Sequence, residues 1–221
     1  MNRLAIFDCD GTLVDSGAPI YAALRASFEL NGREVPPQSI SRKVIGLSLP
    51  EAMAALVPEA SKDEHRKLAD DYKQAFSLSR AAGEVEEPLF DGILHLLDEL
   101  EGDGWLLAVA TGKSDRGLKH CLEHHDIRAR FMSLQTADRH PSKPHPSMVK
   151  QAIADAGCAP EMTFVLGDTS FDMAMAVNAG AAGIGAGWGY HAGEELLAAG
   201  AVAVAERPSD VLNLIREHID G

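Results

Sequence analysis

The sequence predicts an α/β fold built on a parallel sheet, with a helical segment inserted near the start of the chain. After residue 88, short apolar runs alternate with stretches of helical periodicity. Such alternation implies right-handed βαβ crossovers and strands that run parallel. Residues 16–88 carry helical patterns only, between two glycine-containing segments suited to be hinges. We therefore expect an α/β core of residues 1–15 and 89–221, interrupted by a helical domain of residues 16–88.

Each predicted strand is a short apolar run bounded by glycine or charged residues. Residues 4–7 are apolar at consecutive positions, which is typical of a strand covered on both faces. Four later runs share this character, residues 105–111, 131–136, 162–167 and 201–204. These five runs are the expected members of the sheet.

The predicted helices have apolar residues at spacings of three and four. In the core, this spacing recurs within residues 93–100, 149–156 and 173–180. In the insertion, Ile20, Leu24 and Phe28 are spaced by four, and residues 61–82 form a long, highly charged stretch. We expect the insertion to be wholly helical.

Composition and charge exclude several classes of partner. Among 221 residues, 33 acidic and 20 basic side chains leave a net charge of −13 with histidine neutral, which opposes binding to nucleic acid or to an anionic membrane. The three cysteines are widely spaced, so neither a disulfide framework nor a zinc ribbon is indicated. No apolar stretch approaches the roughly 18 residues of a membrane span, and residues 4–7 are too short for a secretory signal. We expect a cytoplasmic protein, monomeric or homodimeric.

Two aspartates follow the first predicted strand directly. Asp8 and Asp10 belong to the run Asp-Cys-Asp-Gly-Thr at residues 8–12. Carboxylates at the tip of a buried strand carry a large cost of desolvation and mutual repulsion, so a cation must offset them. Ligands of parallel sheets bind beyond the carboxyl ends of the strands, which is where Asp8 is expected to lie.

Three further loops carry polar side chains that point to the same edge of the sheet. Thr111 ends one predicted strand, Lys143 precedes Pro144 in a rigid loop, and Asp168 and Asp172 follow another strand. The carboxyl ends of parallel strands meet at one edge. We therefore expect the four loops to converge on a single site.

Taken in order, the four motifs resemble those of the haloacid dehalogenase-like hydrolase superfamily, and the resemblance spans the whole chain. The chain is most similar to phosphatases with a helical cap after the first motif, in particular the phosphoglycolate phosphatase-like group, whose cap loop residues 46–49 resemble. The resemblance implies a Rossmann-like parallel sheet core with an inserted all-helical cap domain. Asp10 favours phosphoryl chemistry, because dehalogenases of this fold lack the second acid. Gly112 departs from the family, which often has asparagine there.

The resemblance assigns a role to each motif. Asp8 would attack phosphorus and form an aspartyl-phosphate, and Asp10 would protonate the leaving alkoxide and then deprotonate the hydrolytic water. Thr111 Oγ, the Gly112 N–H and Lys143 would hold the phosphoryl oxygens. The implied enzyme is a phosphoric monoester hydrolase.

A divalent cation would complete this site. The four aspartates carry four negative charges, a phosphate dianion adds two, and Lys143 returns one. Oxygen ligands beside a phosphate select Mg²⁺ over zinc. In the family pattern the Asp8 and Asp168 carboxylates and the Asp10 carbonyl are metal ligands, with Asp172 in or near that shell.

The expected substrate is a small phosphorylated metabolite, with 2-phosphoglycolate as the specific candidate. Arg42, Lys43 and the turn of residues 46–49, in the insertion, are candidates for contacting the far end of such a substrate, where Arg42 or Lys43 would bind a carboxylate. Two alternatives stay open. A β-phosphoglucomutase-like phosphomutase would return the phosphoryl group to the substrate, and a catalytically silent protein would only bind phosphate.

Overall fold

Six parallel strands form the centre of the structure. The computed structural model describes residues 2–218, and its sheet has the strand order β3-β2-β1-β4-β5-β6. Every neighbouring pair is parallel. The strands are β1 (Arg3–Phe7), β2 (Trp105–Thr111), β3 (Phe131–Thr136), β4 (Thr163–Gly167), β5 (Ala182–Ala186) and β6 (Ala203–Ala205). The predicted α/β fold with a parallel sheet is confirmed.

Helices cover both faces of this sheet. They are α5 (Ile93–Gly102), α6 (Asp115–His124), α7 (Ser147–Ala156), α8 (Ser170–Ala179), α9 (Gly193–Ala198) and α10 (Val211–His218). Successive residues of β1 point to opposite faces: Ile6 packs in a cluster with α7 and α8, and Phe7 packs in a second cluster with α5, α6 and α10. Both faces of β1 are therefore buried. Within residues 2–218, no helix is long and apolar enough to cross a bilayer.

Four helices separate β1 from α5. They are α1 (Gly17–Leu30), α2 (Gln38–Arg42), α3 (Leu49–Leu56) and α4 (Lys62–Ala81), and together we call residues 17–81 the four-helix segment. Leu24, Met53 and Leu68 belong to an apolar cluster distinct from the two clusters of the sheet. A capping box between Ser61 and Glu64 begins α4 by satisfying backbone N–H groups of its first turn. The segment thus buries an apolar core of its own.

The strand β5 is absent from the sequence prediction. Its sequence, Ala-Gly-Ile-Gly-Ala, lacks the β-branched and aromatic content that marks strands. Close packing requires the glycines: a Cβ on Gly183 would lie 3.0 Å from Met173 Sδ, and one on Gly185 would lie 2.8 Å from Leu196 Cδ1. Tight contact with α8 and α9 therefore explains a strand with a weak sequence signal.

The strand order brings the sequence motifs to one edge of the sheet. Because β2, β1 and β4 are neighbours, their carboxyl ends carry Thr111, Asp8 and Asp168 side by side. The loop after β3 adds Lys143, and the first turn of α8 adds Asp172.

Candidate active site

Three aspartates form a buried cluster beyond the ends of β1 and β4. Asp8, Asp168 and Asp172 have no exposed surface. One carboxylate oxygen from each lies within 4.8 Å of those of the other two. Carboxylates this close repel one another and have lost their water, so the cluster requires positive charge.

Lys143 supplies one of the positive charges. Its Nζ lies 2.8 Å from Asp8 Oδ1 and 2.6 Å from Asp172 Oδ1, and the side chain is fully buried. Burial opposes the charged ammonium group, but the Asp172 and Asp8 carboxylates outweigh it and raise the pKa of Lys143 above its ordinary value. Lys143 is therefore a cation at neutral pH.

One lysine does not neutralise three carboxylates. Burial raises the pKa of Asp8 to about 7, with Lys143 opposing the rise and Asp172 adding to it. Burial also raises the pKa of Asp168 well above its ordinary value, and repulsion from Asp8 and Asp172 adds to the effect. The cluster therefore holds protons at pH values where isolated carboxylates have lost them, and a divalent cation would replace those protons.

The donor atoms fit a hard divalent cation such as Mg²⁺. Oδ2 of Asp8 is buried and has no hydrogen-bond partner among residues 2–218. Asp168 is oriented by two hydrogen bonds of 2.9 Å, one from Thr12 Oγ1 to Oδ1 and one from the Tyr190 N–H to Oδ2. An unpartnered buried oxygen beside an oriented carboxylate suits an ion that prefers oxygen ligands.

Backbone packs closely around these carboxylates. Gly11 has a φ of +85°, and a Cβ there would lie 2.2 Å from Asp168 Oδ2. A Cβ on Gly189 would lie 2.1 Å from Cβ of Asp168. Thr169 is the N-cap of α8 and donates hydrogen bonds from its N–H and its Oγ1 to Asp172 Oδ2. Both glycines are therefore needed for the backbone to enclose Asp168.

Asp10 has a separate set of partners. Its Oδ1 accepts a hydrogen bond from Ser16 Oγ and lies 2.8 Å from Lys113 Nζ. Lys113 also lies 2.7 Å from Glu87 Oε1, and Glu87 Oε2 lies 2.9 Å from Arg80 Nη2. None of Ser16, Lys113, Glu87 and Arg80 was assigned a role from the sequence. The one available signal was the position of Lys113, directly after the strand-end motif.

Thr111 and Gly112 end β2 beside the strand that carries Asp8. Thr111 is buried, and its Oγ1 accepts a hydrogen bond of 3.3 Å from the Lys113 N–H. A Cβ on Gly112 would lie 2.7 Å from the carbonyl oxygens of Gly46 and Leu47. Backbone of the four-helix segment therefore fills the space that an asparagine side chain would need.

Comparison with known families identifies the group of proteins that shares these motifs. The model of the family described as haloacid dehalogenase-like hydrolase matches residues 5–186, a range that includes all four motifs. The chain belongs to the haloacid dehalogenase-like hydrolases. The family assignment made from the four motifs is thereby confirmed.

Relatives of similar length in this family bear phosphatase names. The chain is 33% identical to the "Probable phosphatase IndB" of Dickeya dadantii, with 96% of this chain and 93% of that protein covered. It is 28% identical to a phosphoglycolate phosphatase of Aquifex aeolicus, with 98% of each covered. A solved structure, described as a predicted phosphatase from Clostridium acetobutylicum, is 25% identical and has a TM-score of 0.88, over 98% of this chain and 99% of that one. Within the haloacid dehalogenase-like hydrolases, the chain is phosphoglycolate phosphatase-like.

A cavity of about 750 Å³ lies between the four-helix segment and the end of β2. Asp10, Gly112 and Lys113 line it on the core side, together with residues of α6. The side formed by the four-helix segment is mainly apolar. Asp10 therefore borders a space large enough for a small ligand.

Arg42 and Lys43 do not line this cavity. Both are exposed, and Lys43 Nζ lies 2.7 Å from Glu195 Oε1 on α9. Hydrogen bonding to Lys43 lowers the pKa of Glu195 below its ordinary value. Of the residues that sequence analysis selected, the structure brings Asp8, Lys143, Asp168 and Asp172 into contact, and it places these two cations elsewhere.

Proposed function

We propose that the protein is a Mg²⁺-dependent phosphatase that hydrolyses a small phosphomonoester through an aspartyl-phosphate on Asp8. One observation carries the proposal. Asp8 is fully buried against Lys143, whereas Asp10, two positions away, borders the cavity. Two acids in such different surroundings are suited to separate roles, one as nucleophile and one as acid and base.

Asp8 is the proposed nucleophile. One of its carboxylate oxygens forms a new bond to phosphorus while the bond from phosphorus to the alcohol oxygen breaks. Lys143, 2.8 Å from Oδ1, fixes the carboxylate and offsets part of its charge.

Asp10 is the proposed acid and base. Ser16 and Lys113 both bind its Oδ1, so we assign the proton to Oδ2. Asp10 gives this proton to the leaving alkoxide as the ester bond breaks. It then takes a proton from the water that attacks the aspartyl-phosphate, which releases inorganic phosphate and restores Asp8.

Three groups are proposed to hold the transferred phosphoryl oxygens. Lys143 provides a charged donor, and Thr111 Oγ1 and the Gly112 N–H provide neutral ones at the end of β2. Phosphoryl transfer depends mainly on such positioning and on neutralisation of charge. The packing of the 46–47 backbone against Gly112 supports this assignment, because it fixes the position of that N–H.

The Asp8 and Asp168 carboxylates and the Asp10 carbonyl are proposed to hold Mg²⁺. When bound, the ion neutralises negative charge on the phosphoryl oxygens. Asp172 uses Oδ1 for Lys143 and Oδ2 for Thr169, so we place it at the edge of this shell.

Residues 16–88 are proposed to act as a cap domain over a core of residues 1–15 and 89–221. The Ser48 N–H donates a hydrogen bond of 2.8 Å to Ser142 Oγ, in the residue next to Lys143. Gly46 lies against Thr169, the residue that binds Asp172. Contacts of the insertion with both motif loops support a cap that excludes water from the site.

The substrate is proposed here only as a small phosphorylated metabolite. The phosphoglycolate phosphatase relative favours 2-phosphoglycolate, whereas the position of Arg42 and Lys43 outside the cavity does not. With a net charge of −13, neither nucleic acid nor a membrane surface is a proposed partner. We propose action in the cytoplasm as a monomer or homodimer.

Release of inorganic phosphate tests the proposal. A panel containing p-nitrophenyl phosphate and 2-phosphoglycolate should give phosphate with Mg²⁺, none in excess EDTA, and phosphate again after Mg²⁺ is restored. Asp168→Asn should raise the Mg²⁺ concentration needed for half-maximal rate by at least about tenfold. Full activity in EDTA would refute metal dependence. Transfer back to the substrate without phosphate release would indicate a phosphomutase, and no turnover of any ester would indicate a phosphate-binding protein.

A further inference from the structure

We propose that the alcohol portion of the substrate is apolar, an alkyl or aryl group that fills the cavity under the four-helix segment. The inference rests on the proposed function, because it assigns the leaving-group side of the same site. Its basis is the composition of the cavity wall, the packing of two aromatic rings on α4, and the pairing of two cations of the lining, Lys113 and Arg80.

The cavity wall next to Asp10 is built from aliphatic and aromatic side chains. It extends from Asp10 across α1, α3 and α4 and their connections, and its volume of about 750 Å³ far exceeds the needs of a two-carbon acid. The large apolar side chains of the wall include Leu24, Leu49, Met53, Leu56, Tyr72 and Phe76. A ligand in this space gains affinity by removing apolar surface from water.

Two aromatic rings on α4 form part of this wall. Tyr72 and Phe76 are one helical turn apart, their ring centroids are 5.9 Å apart, and their planes meet at 24°. The guanidinium of Arg80, one turn further along, lies 4.9 Å from the centre of the Phe76 ring. All three residues line the cavity. One face of α4 therefore offers a flat, preformed contact surface for a carbon skeleton.

Two cations of the lining, Lys113 and Arg80, are already paired. Lys113 lies within 2.8 Å of both Asp10 and Glu87, and Arg80 lies 2.9 Å from Glu87. Glu87 is itself buried. A carboxylate on a short substrate would have to compete with Glu87 for either cation. It would also lose its water in an apolar space. Both costs disfavour acids such as glycolate as leaving groups.

The remaining charged side chains of the lining lie on its outer rim. They are exposed and belong to α4 and α6: Lys73, Arg116, Lys119 and Glu123. The rim therefore meets solvent and its charges stay hydrated, whereas the wall formed by the four-helix segment is mainly apolar.

A homologous series of n-alkyl phosphates tests the inference. With Mg²⁺ present, kcat/KM should rise about threefold to fourfold for each methylene from ethyl to hexyl phosphate, the factor expected when a methylene leaves water for an apolar wall. Leaving-group basicity changes little along this series, so the trend reports contact with the cavity. Hexyl phosphate should exceed 2-phosphoglycolate by about tenfold or more. A flat or falling series, or a preference for 2-phosphoglycolate, would overturn the inference.

Two variants on α4 locate the contact. Phe76→Ser should lower the ratio of kcat/KM for hexyl phosphate to that for ethyl phosphate by about tenfold. Leu78→Ser is the matched control, because Leu78 is 65% exposed and lies outside the lining. It should leave the ratio unchanged. An equal effect of both variants, or none from Phe76→Ser, would contradict the assignment.

Binding of n-alkylphosphonates, which cannot be hydrolysed, separates the two proposals. Calorimetry with Mg²⁺ should show that affinity rises from ethyl- to hexylphosphonate. If affinity rises while no ester is hydrolysed, the apolar site stands and the phosphatase proposal fails. If esters are hydrolysed but affinity is independent of chain length, the apolar inference alone fails.

Discussion

The two ends of the site differ in the polarity of their side chains. At the sheet, Asp8, Asp168, Asp172 and Lys143 are all buried, and hydrogen bonds and ion pairs fix most of their polar atoms. Under the four-helix segment, the cavity wall is mainly aliphatic and aromatic. Charge is concentrated where a phosphoryl group would react, and apolar surface is concentrated where its alcohol would lie.

The comparison indicates that the residues that react and the residues that select the substrate lie in different parts of the site. A buried charge is tolerated only with its partners in place, so the sheet end permits few substitutions. Apolar contacts are non-directional, and walls of similar volume can be built from different side chains. We therefore expect variants at the sheet end to affect all esters alike, and variants of the wall to change the ranking of esters.

The largest expected effect is that of Lys143→Met, which tests whether the sheet end acts on every substrate equally. Loss of this cation should lower kcat/KM by about 10²–10³-fold for both ethyl and hexyl phosphate, because the contact to the phosphoryl group is the same. The ratio of the two esters should not change. Lys150→Met, an exposed lysine on α7, is the control for loss of a lysine. A loss under about threefold would place Lys143 outside the reaction.

A smaller effect is expected at Gly112, where the two ends meet. In Gly112→Ala, the added Cβ would lie 2.7 Å from the carbonyl oxygens of Gly46 and Leu47, so this loop must move away. We expect kcat/KM to fall about tenfold and the melting temperature to fall by a few degrees. Gly102→Ala is the matched control, because a Cβ at Gly102 meets no atom within 4 Å. Equal activity of the two variants would show that the loop contact does not matter for turnover.

The smallest expected effect is on the melting temperature, which reports on the charged end of the site and not on the apolar wall. The pKa of Asp8 is raised from 3.8 to about 7, so the metal-free folded state binds more protons than the unfolded state between those values. This contribution to stability is complete below about pH 4 and is lost as the pH rises through about 7. Mg²⁺ should therefore raise the melting temperature more near pH 7.5 than near pH 5.5, by a few degrees. In Asp8→Asn this difference between the two pH values should be lost. A Mg²⁺ shift that is independent of pH would contradict the proton count.

The charged end could be predicted from sequence because its residues occupy fixed positions at strand ends. Once β1, β2 and β4 were assigned, topology alone placed Asp8, Thr111 and Asp168 at one edge. The pairing of Lys113 with Asp10 and Glu87 could not be predicted, because it joins residues that are far apart in the chain and have no shared motif.

Of the apolar end, only the turn of residues 46–49 was selected from the sequence, and Gly46, Leu47 and Leu49 line the cavity. Tyr72 and Phe76 lie on a highly charged helix, α4. Only the packing of α4 against α1 and α3 places the helix face that carries both rings toward the cavity. Arg42 and Lys43 were selected for charge alone, and the fold places them outside the cavity wall. The strand β5 was missed because its glycines have a low strand propensity, and close packing against neighbouring helices requires them.

The division of labour between Asp8 and Asp10 is tested most directly by rapid mixing of two variants with p-nitrophenyl phosphate. Nitrophenolate leaves without needing a proton, so Asp10→Asn should form the aspartyl-phosphate and then stall at hydrolysis. We predict a burst of about one equivalent of nitrophenolate per site and a phosphoenzyme that survives acid quench. Asp8→Asn should give neither. A burst in Asp8→Asn and none in Asp10→Asn would show that the nucleophile is the other aspartate.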